Sequence, residues 1–323
     1  VRACCERKGE ADMKRILCID GGGIRGLIPA LVLAEIERRT GRRIAQCFDL
    51  IAGTSTGGIL ALGLARDNGF GKPLYAAAEL ASIYRDRGGD IFDRPLWKQL
   101  TSVAGLAGER YAQQGLEAVL QEYFGEAPLD QSVTLTLLTS YDIHAREPVF
   151  FKSWKPEHGC IPMKMVARAT SAAPTYFEPA VVEVDGIPRP LVDGGVFINT
   201  PSVSAYAEAR RIYPGEEFFM VSLGTGELTE PFAHAQARNW GKVGWLVPLM
   251  SCMFDGMADA ANYQMGMFLG GNYVRLQTRL DTASDDLDLA TPGNIADLAA
   301  EAQRLIDSHG RELDAVCREL MLS

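Results

Sequence analysis

Residues 15–26, "RILCIDGGGIRG", run from a short apolar segment directly into glycines. Residues 48–57, "FDLIAGTSTG", repeat the device further along the chain. An apolar run halted by glycine reads as a buried strand, and the segments that follow, 26–38 and 56–66, carry the apolar content of helices. Pro29 fits the first turn of the first of these, where backbone N–H groups have no intrahelical partner. Strand, glycine loop, helix, strand, tight turn, helix is the pattern of a parallel sheet with helices on its faces. It constrains the rest of the chain to an α/β architecture.

The remaining segments extend that pattern. Strands are expected at 133–144, 147–151, 217–226 and 273–280, and a hairpin at 178–184 and 189–192. Helices are expected at 73–86, 114–124, 201–212, 294–308 and 311–322, with a helical stretch at 240–269 broken by Pro248 and several glycines. With 323 residues, 47% of them apolar, the chain can bury a large core without disulfides. The expectation is a three-layer α/β/α sandwich with a mostly parallel central sheet. Residues 13–323 read as one domain, with 1–12, "VRACCERKGEAD", as a disordered leader too polar for a signal peptide and Met13 as an alternative start. No apolar stretch reaches the length of a membrane span.

A formal net charge of −9 argues against a nucleic-acid polymer as partner. The seven cysteines are scattered, without the paired spacing of a zinc site. Cys18 and Cys47 lie in or beside apolar runs, as free thiols in a core do. This reads as a reduced, cytoplasmic protein.

Gly53-Thr54-Ser55-Thr56-Gly57 matches G-x-S-x-G between an expected strand and an expected helix, the context of a nucleophile elbow. Gly53 and Gly57 leave room for the sharp turn that raises Ser55. An ordinary turn in which the serine caps the helix is the plainer alternative. Gly21 to Gly26 satisfies G-x-G-x-x-G, but the next strand ends in Ala52-Gly53-Thr54-Ser55 without the acid that would bind a ribose, and Asp20 precedes the glycines where it would repel a pyrophosphate. Leu27 stands where a phosphate-binding loop needs lysine. The glycine amides, chiefly those of Gly22 and Gly23, instead suit a developing oxyanion, with the N–H of Thr56 as a further donor. Arg25 is open to three roles: orienting the loop, neutralising a substrate phosphate, or forming an ion pair that holds the turn.

A serine nucleophile needs a base. The four histidines, His144, His158, His234 and His309, all lie in unsuitable surroundings. Asp193 in "LVDGG" ends an apolar run before two glycines. A partly desolvated aspartate against the serine hydroxyl can act as base, and a plain turn explains the same residues.

"DGGGIRG" at 20–26, "GTSTG" at 53–57, "ATSAAPTYF" at 169–177 and "DGG" at 193–195, in this order, resemble the patatin-like phospholipase family over about residues 15–225. The resemblance implies a Ser55–Asp193 dyad, an oxyanion hole in Gly21, Gly22 and Gly23 with Arg25 close by, and hydrolysis of phospholipids or other acyl lipids without metal or cofactor. Peripheral contact with a membrane, at its cytoplasmic face, is expected. Alternatives left open are a phospholipase switched on by a small-molecule activator such as a cyclic nucleotide, a homo-oligomer, and a non-catalytic lipid-binding protein. The small residues of "ATSAAP" are expected to pack close to the site.

Residues 226–323 carry no motif. Within them, 245–269 holds Met250, Met253, Met257, Met265 and Met267. This reads as a methionine-rich core helix, or as a lid or acyl-chain surface. Asp281, Asp285, Asp286 and Asp288 read as a solvated loop rather than a cation site.

Overall fold

The computed structural model describes residues 13–92, 113–227, 232–238 and 240–322. The expected leader at 1–12, with Cys4 and Cys5, lies outside the described residues. The strands are β1 (Met13–Ile19), β2 (Leu50–Gly53), β3 (Leu135–Asp142), β4 (Glu147–Lys152), β5 (Ala180–Val184), β6 (Ile187–Asp193), β7 (Glu217–Leu223) and β8 (Tyr273–Leu276). They form one sheet in the order β5-β6-β3-β2-β1-β7-β8, with β4 also paired to β3. The run from β3 through β2, β1 and β7 to β8 is parallel, and β4, β6 and the β5–β6 hairpin join antiparallel.

The side-chain alternation along the parallel strands builds two cores. Leu17 and Ile19 of β1 and Val221 and Leu223 of β7 belong to the larger cluster, under α1 (Leu27–Thr40), α2 (Thr56–Ala65) and the C-terminal helices Pro292–Ser308 and Gly310–Met321. Ile16 and Cys18, with Phe218 and Met220, belong to a smaller cluster on the other face. That face is covered by the helices Ser202–Ile212 and Leu246–Leu269, which contribute Ala205, Ala209 and Met265. The result is the three-layer sandwich expected from the sequence. Cys18 and Cys47 are buried, as is Cys317.

The parallel centre sets the site. Ile19 pairs with Gly53, so the glycine loop and the serine turn leave the sheet side by side. β6 runs the opposite way and brings Asp193 opposite Ser140 of β3, two residues beyond Leu138, which is level with Gly53. An antiparallel strand therefore delivers the aspartate to the edge where the parallel strands end.

Two segments differ from the sequence reading. The helix Met163–Thr170 was not anticipated. The break in 240–269 lies at Trp245, and Pro248 occupies the first turn of a continuous helix, where it interrupts no hydrogen bond. Gly256 and Gly266 do not interrupt that helix either.

Candidate active site

Ser55 occupies the turn between β2 and α2 with φ 55° and ψ −124°, a left-handed conformation that costs a non-glycine residue about 1–3 kcal/mol. Its surroundings hold it there. Its backbone N–H donates to Thr170 Oγ1 at 3.0 Å, and its carbonyl accepts from Gly58 and Ile59. A Cβ on Gly53 would stand 2.2 Å from the Gly57 carbonyl oxygen, and one on Gly57 would stand 2.2 Å from that of Ile19, so side chains are excluded on both sides of the turn. Ser55 makes no side-chain capping bond to α2.

Asp193 is buried. Its Oδ1 accepts the Gly195 N–H at 2.7 Å, and its own N–H donates to the Ala172 carbonyl at 3.0 Å. Burial pushes its carboxyl up to about 7, against hydrogen bonds from the Ser55 side chain and the Gly195 amide that stabilise the anion. The Ser55 side chain thus lies near enough to the Asp193 carboxyl to favour its anion. The segment "ATSAAP" links them, since Thr170 fixes the backbone of one and Ala172 that of the other. Buried hydroxyls complete the support. Thr139 Oγ1 donates to Thr54 Oγ1 at 2.8 Å, Thr54 Oγ1 donates to the Ile198 carbonyl at 3.0 Å, and Ser140 Oγ donates to the Val192 carbonyl at 2.7 Å. Gly194 lies so close that a Cβ there would stand 2.0 Å from Thr139 Oγ1.

The glycine loop is divided in its use of amides. The N–H of Gly21 donates to the Asn199 carbonyl at 3.2 Å and is not available to an oxyanion, which corrects its expected place among the donors. Among the described residues the N–H groups of Gly22, Gly23 and Thr56 have no acceptor. Gly23 has φ +56°, and a Cβ there would stand 2.1 Å from the Leu287 carbonyl oxygen. A Cβ on Gly21 would stand 3.2 Å from Ser55 Cβ, so the loop passes directly beside the nucleophile turn.

Four side chains unremarked in the sequence hold this arrangement. Tyr84 is buried, accepts the Thr56 hydroxyl at 2.6 Å and donates to the Thr56 carbonyl at 3.2 Å. Thr225 Oγ1 donates to the Gly21 carbonyl at 2.8 Å. Arg275 of β8 bonds Asp20 Oδ2 at 2.6 Å and Ser222 Oγ at 2.9 Å, and Thr200 donates to the same Asp20 oxygen at 2.9 Å. Asp20 therefore anchors the start of the glycine loop as half of a buried ion pair. Arg25 reaches the carbonyls of Gly22 at 3.4 Å and Gly226 at 3.2 Å, which favours orienting the loop over a paired carboxylate. Burial lowers its proton affinity, opposed by Asp285 and Asp255 nearby.

The acidic loop is not simply solvated. Leu287 accepts the Ile24 N–H at 2.9 Å, and the buried Glu301 accepts the N–H groups of Asp281 and Thr282. Two of the histidines serve elsewhere: Nδ1 of His158 accepts the Lys152 N–H at 3.3 Å, and His309 contacts Leu305 and Ser308. The methionine-rich helix lies mostly at the surface. Met265 and Ala261 are buried, and Met253 and Met267 are exposed.

The three-layer sandwich thus gathers a strained serine, a buried aspartate and amides without acceptors where its parallel strands end. The family description "Patatin-like phospholipase" matches residues 17–206, and the chain belongs to this family. It is 30% identical over 349 residues to Patatin-like protein 2 of Oryza sativa, covering 94% of this chain and 86% of that protein. It is 31% identical over 353 residues to Patatin-like protein 2 of Arabidopsis thaliana, with the same coverage. Among solved structures it is similar to human GIVD cytosolic phospholipase A2, with a TM-score of 0.47 and 13% identity, covering 96% of this chain and 60% of that one.

Proposed function

We propose that this protein is a lipid acyl hydrolase that cleaves carboxylic ester bonds of phospholipids or other acyl lipids through Ser55 and Asp193. The observation that carries the proposal is a buried aspartate, raised to about 7, near the side chain of a strained serine and three amides without acceptors among the described residues. Family membership supports the substrate class.

In the reaction, Asp193 takes the Ser55 hydroxyl proton as the serine oxygen attacks the ester carbonyl carbon. The carbonyl oxygen becomes an oxyanion facing the N–H groups of Gly22, Gly23 and Thr56, each such donor being worth about 10²–10³ in rate. Collapse expels the alcohol or lysolipid, which takes the proton back from Asp193. Water then adds to the acyl-enzyme, giving up its proton to the same carboxylate, and as the acyl–oxygen bond breaks Asp193 returns that proton to the Ser55 oxygen and the fatty acid is released. No histidine takes part. Among the described residues no helix is long and apolar enough to cross a membrane. The reading places the enzyme on a lipid surface, approached from the water side.

The test is hydrolysis of p-nitrophenyl esters from short to long acyl chains, alongside fatty-acid release from phosphatidylcholine. Ser55→Ala and Asp193→Ala are each expected to lose at least about 10³ in turnover, as removal of a nucleophile or its base does. Undiminished activity in Ser55→Ala contradicts the proposal.

A further inference from the structure

The helix Leu246–Leu269 presents an apolar stripe to solvent along its whole length. Trp245, at its N-cap, and Leu249, Met253, Tyr263 and Met267 are all exposed, the last two to 71% and 70%. At about 100° per residue these five positions fall within about 80° of the helix circumference. Gly256 and Ala260, also exposed, fill the gap between them without adding charge. At about 1.5 Å per residue the stripe is about 33 Å long. So long an exposed apolar patch marks a surface that something else covers.

The opposite side of the helix faces the protein. Ala261 and Met265 are buried there, and Phe254, on the same side, lies 3.7 Å from where a Cβ on Gly195 would sit. Gly195 is the residue whose N–H binds the Asp193 carboxylate. One helix thus has its inner face beside the candidate active site and its outer face bare.

Charge selects the occupant. The helix contains no lysine or arginine, and its acids are Asp255 and Asp259. By the same angular count both lie on one flank of the stripe. An anionic lipid surface would be repelled by that flank, whereas the outward ammonium of a choline headgroup would be attracted to it. Trp245 near one end and Tyr263 towards the other are the amphipathic rings that settle at headgroup level, with Leu249 and Met253 between them and Met267 beyond Tyr263 entering the acyl boundary.

We infer that this stripe is the surface by which the protein docks on a zwitterionic phospholipid layer, so that the helix lies between the lipid on its outer face and the candidate site beside its inner face. The inference rests on the lipid hydrolase reading for its biological sense, but the binding it predicts is measured without turnover.

The experiment is flotation of the full chain with phosphatidylcholine vesicles, in the Ser55→Ala background so that the lipid stays intact. Leu249→Glu, Met253→Glu and Met267→Glu are combined in one variant, and its thermal midpoint is measured to show that these exposed positions leave the fold in place. The parent is expected to float with the vesicles, and more weakly when phosphatidylglycerol replaces part of the phosphatidylcholine. The triple variant is expected to lose about tenfold or more of the bound fraction. Vesicles should also shift tryptophan fluorescence to the blue, and Trp245→Phe should reduce that shift. A triple variant that floats like the parent overturns the inference, as does a parent that floats with no vesicle. A parent that is dimeric, does not float, and becomes monomeric in the triple variant overturns it in favour of a second copy on the stripe. Vesicle binding by a wild type that cleaves no soluble ester leaves the docking surface standing and removes the hydrolase reading. Ester turnover without vesicle binding does the reverse.

Discussion

Thr170 Oγ1 accepts the backbone N–H of Ser55 at 3.0 Å, so a side chain from the end of the helix Met163–Thr170 fixes the peptide that carries the proposed nucleophile. That peptide is held at positive φ, and its donor has no other acceptor among the described residues. Thr170→Val keeps the shape and deletes the acceptor. Leaving a buried donor unpaired costs about 1–3 kcal/mol. Turnover should fall by about tenfold or more, and Thr170→Ser should restore most of it. Ester kinetics and thermal unfolding of the two variants check this, and equal activity in both would show that the contact does not position Ser55.

Asp193 sets the pH dependence. The base must be ionised, and burial raises its carboxyl to about 7. Turnover should rise with pH below about 7 and level off above it. The same shift acts on stability in the opposite sense. The folded value lies above the ordinary 3.8, so the fold disfavours the anion, and stability is lost as pH rises from about 4 to about 7. Asp193→Asn should therefore be inactive yet more stable than wild type, by up to about 4 kcal/mol at pH 8 and little at pH 4. Denaturant melts at the two pH values make the comparison.

Tyr84 supports Thr56, one of the proposed oxyanion donors. Its hydroxyl makes both contacts to Thr56, whose N–H has no acceptor among the described residues, and a Cβ on Gly26 would meet both Thr56 and Tyr84. Tyr84→Phe removes the two bonds without emptying the space. We expect kcat to drop about tenfold with KM little changed, the signature of a donor that matters most in the transition state. A change confined to KM would place Tyr84 on the substrate side instead.

The Asp20–Arg275 pair ties the glycine loop to β8, from the part of the chain that carries no motif. Removing one partner of a buried pair costs about 3–5 kcal/mol, because the other charge is stranded. Arg275→Met should be destabilised to that extent, and Asp20→Asn together with Arg275→Met should recover part of the loss. A double variant no more stable than Arg275→Met alone would argue that the pair holds shape by hydrogen bonding rather than charge.

The parallel centre of the sheet is legible in the sequence, because parallel strands buried on both faces leave apolar runs such as "ILCI" and "FFMV" that glycines follow after one or two further residues. Ser55 is legible for the same reason, since its turn excludes side chains at Gly53 and Gly57. Asp193 is legible only through the family pattern, because "DGG" alone also spells a turn and its base-like environment comes from burial against β3 and the Ala172 turn. Tyr84 and Arg275 leave no local signal. Each acts through a contact between residues far apart in the chain, Tyr84 on Thr56 and Arg275 on Asp20. Gly21 is the opposite case: the run of three glycines looks uniform, yet the first uses its amide on Asn199. The outward stripe of Leu246–Leu269 is hidden in composition, since an apolar helix reads as core until its neighbours are placed.

The most direct test of the central claim is covalent trapping with an alkyl fluorophosphonate, followed by intact mass and peptide mapping. An activated Ser55 predicts a single adduct on that residue in wild type, none in Ser55→Ala, and labelling slowed by at least about 10² in Asp193→Asn. Labelling at another residue, or an Asp193→Asn variant that reacts as fast as wild type, would contradict a nucleophile at Ser55 served by Asp193.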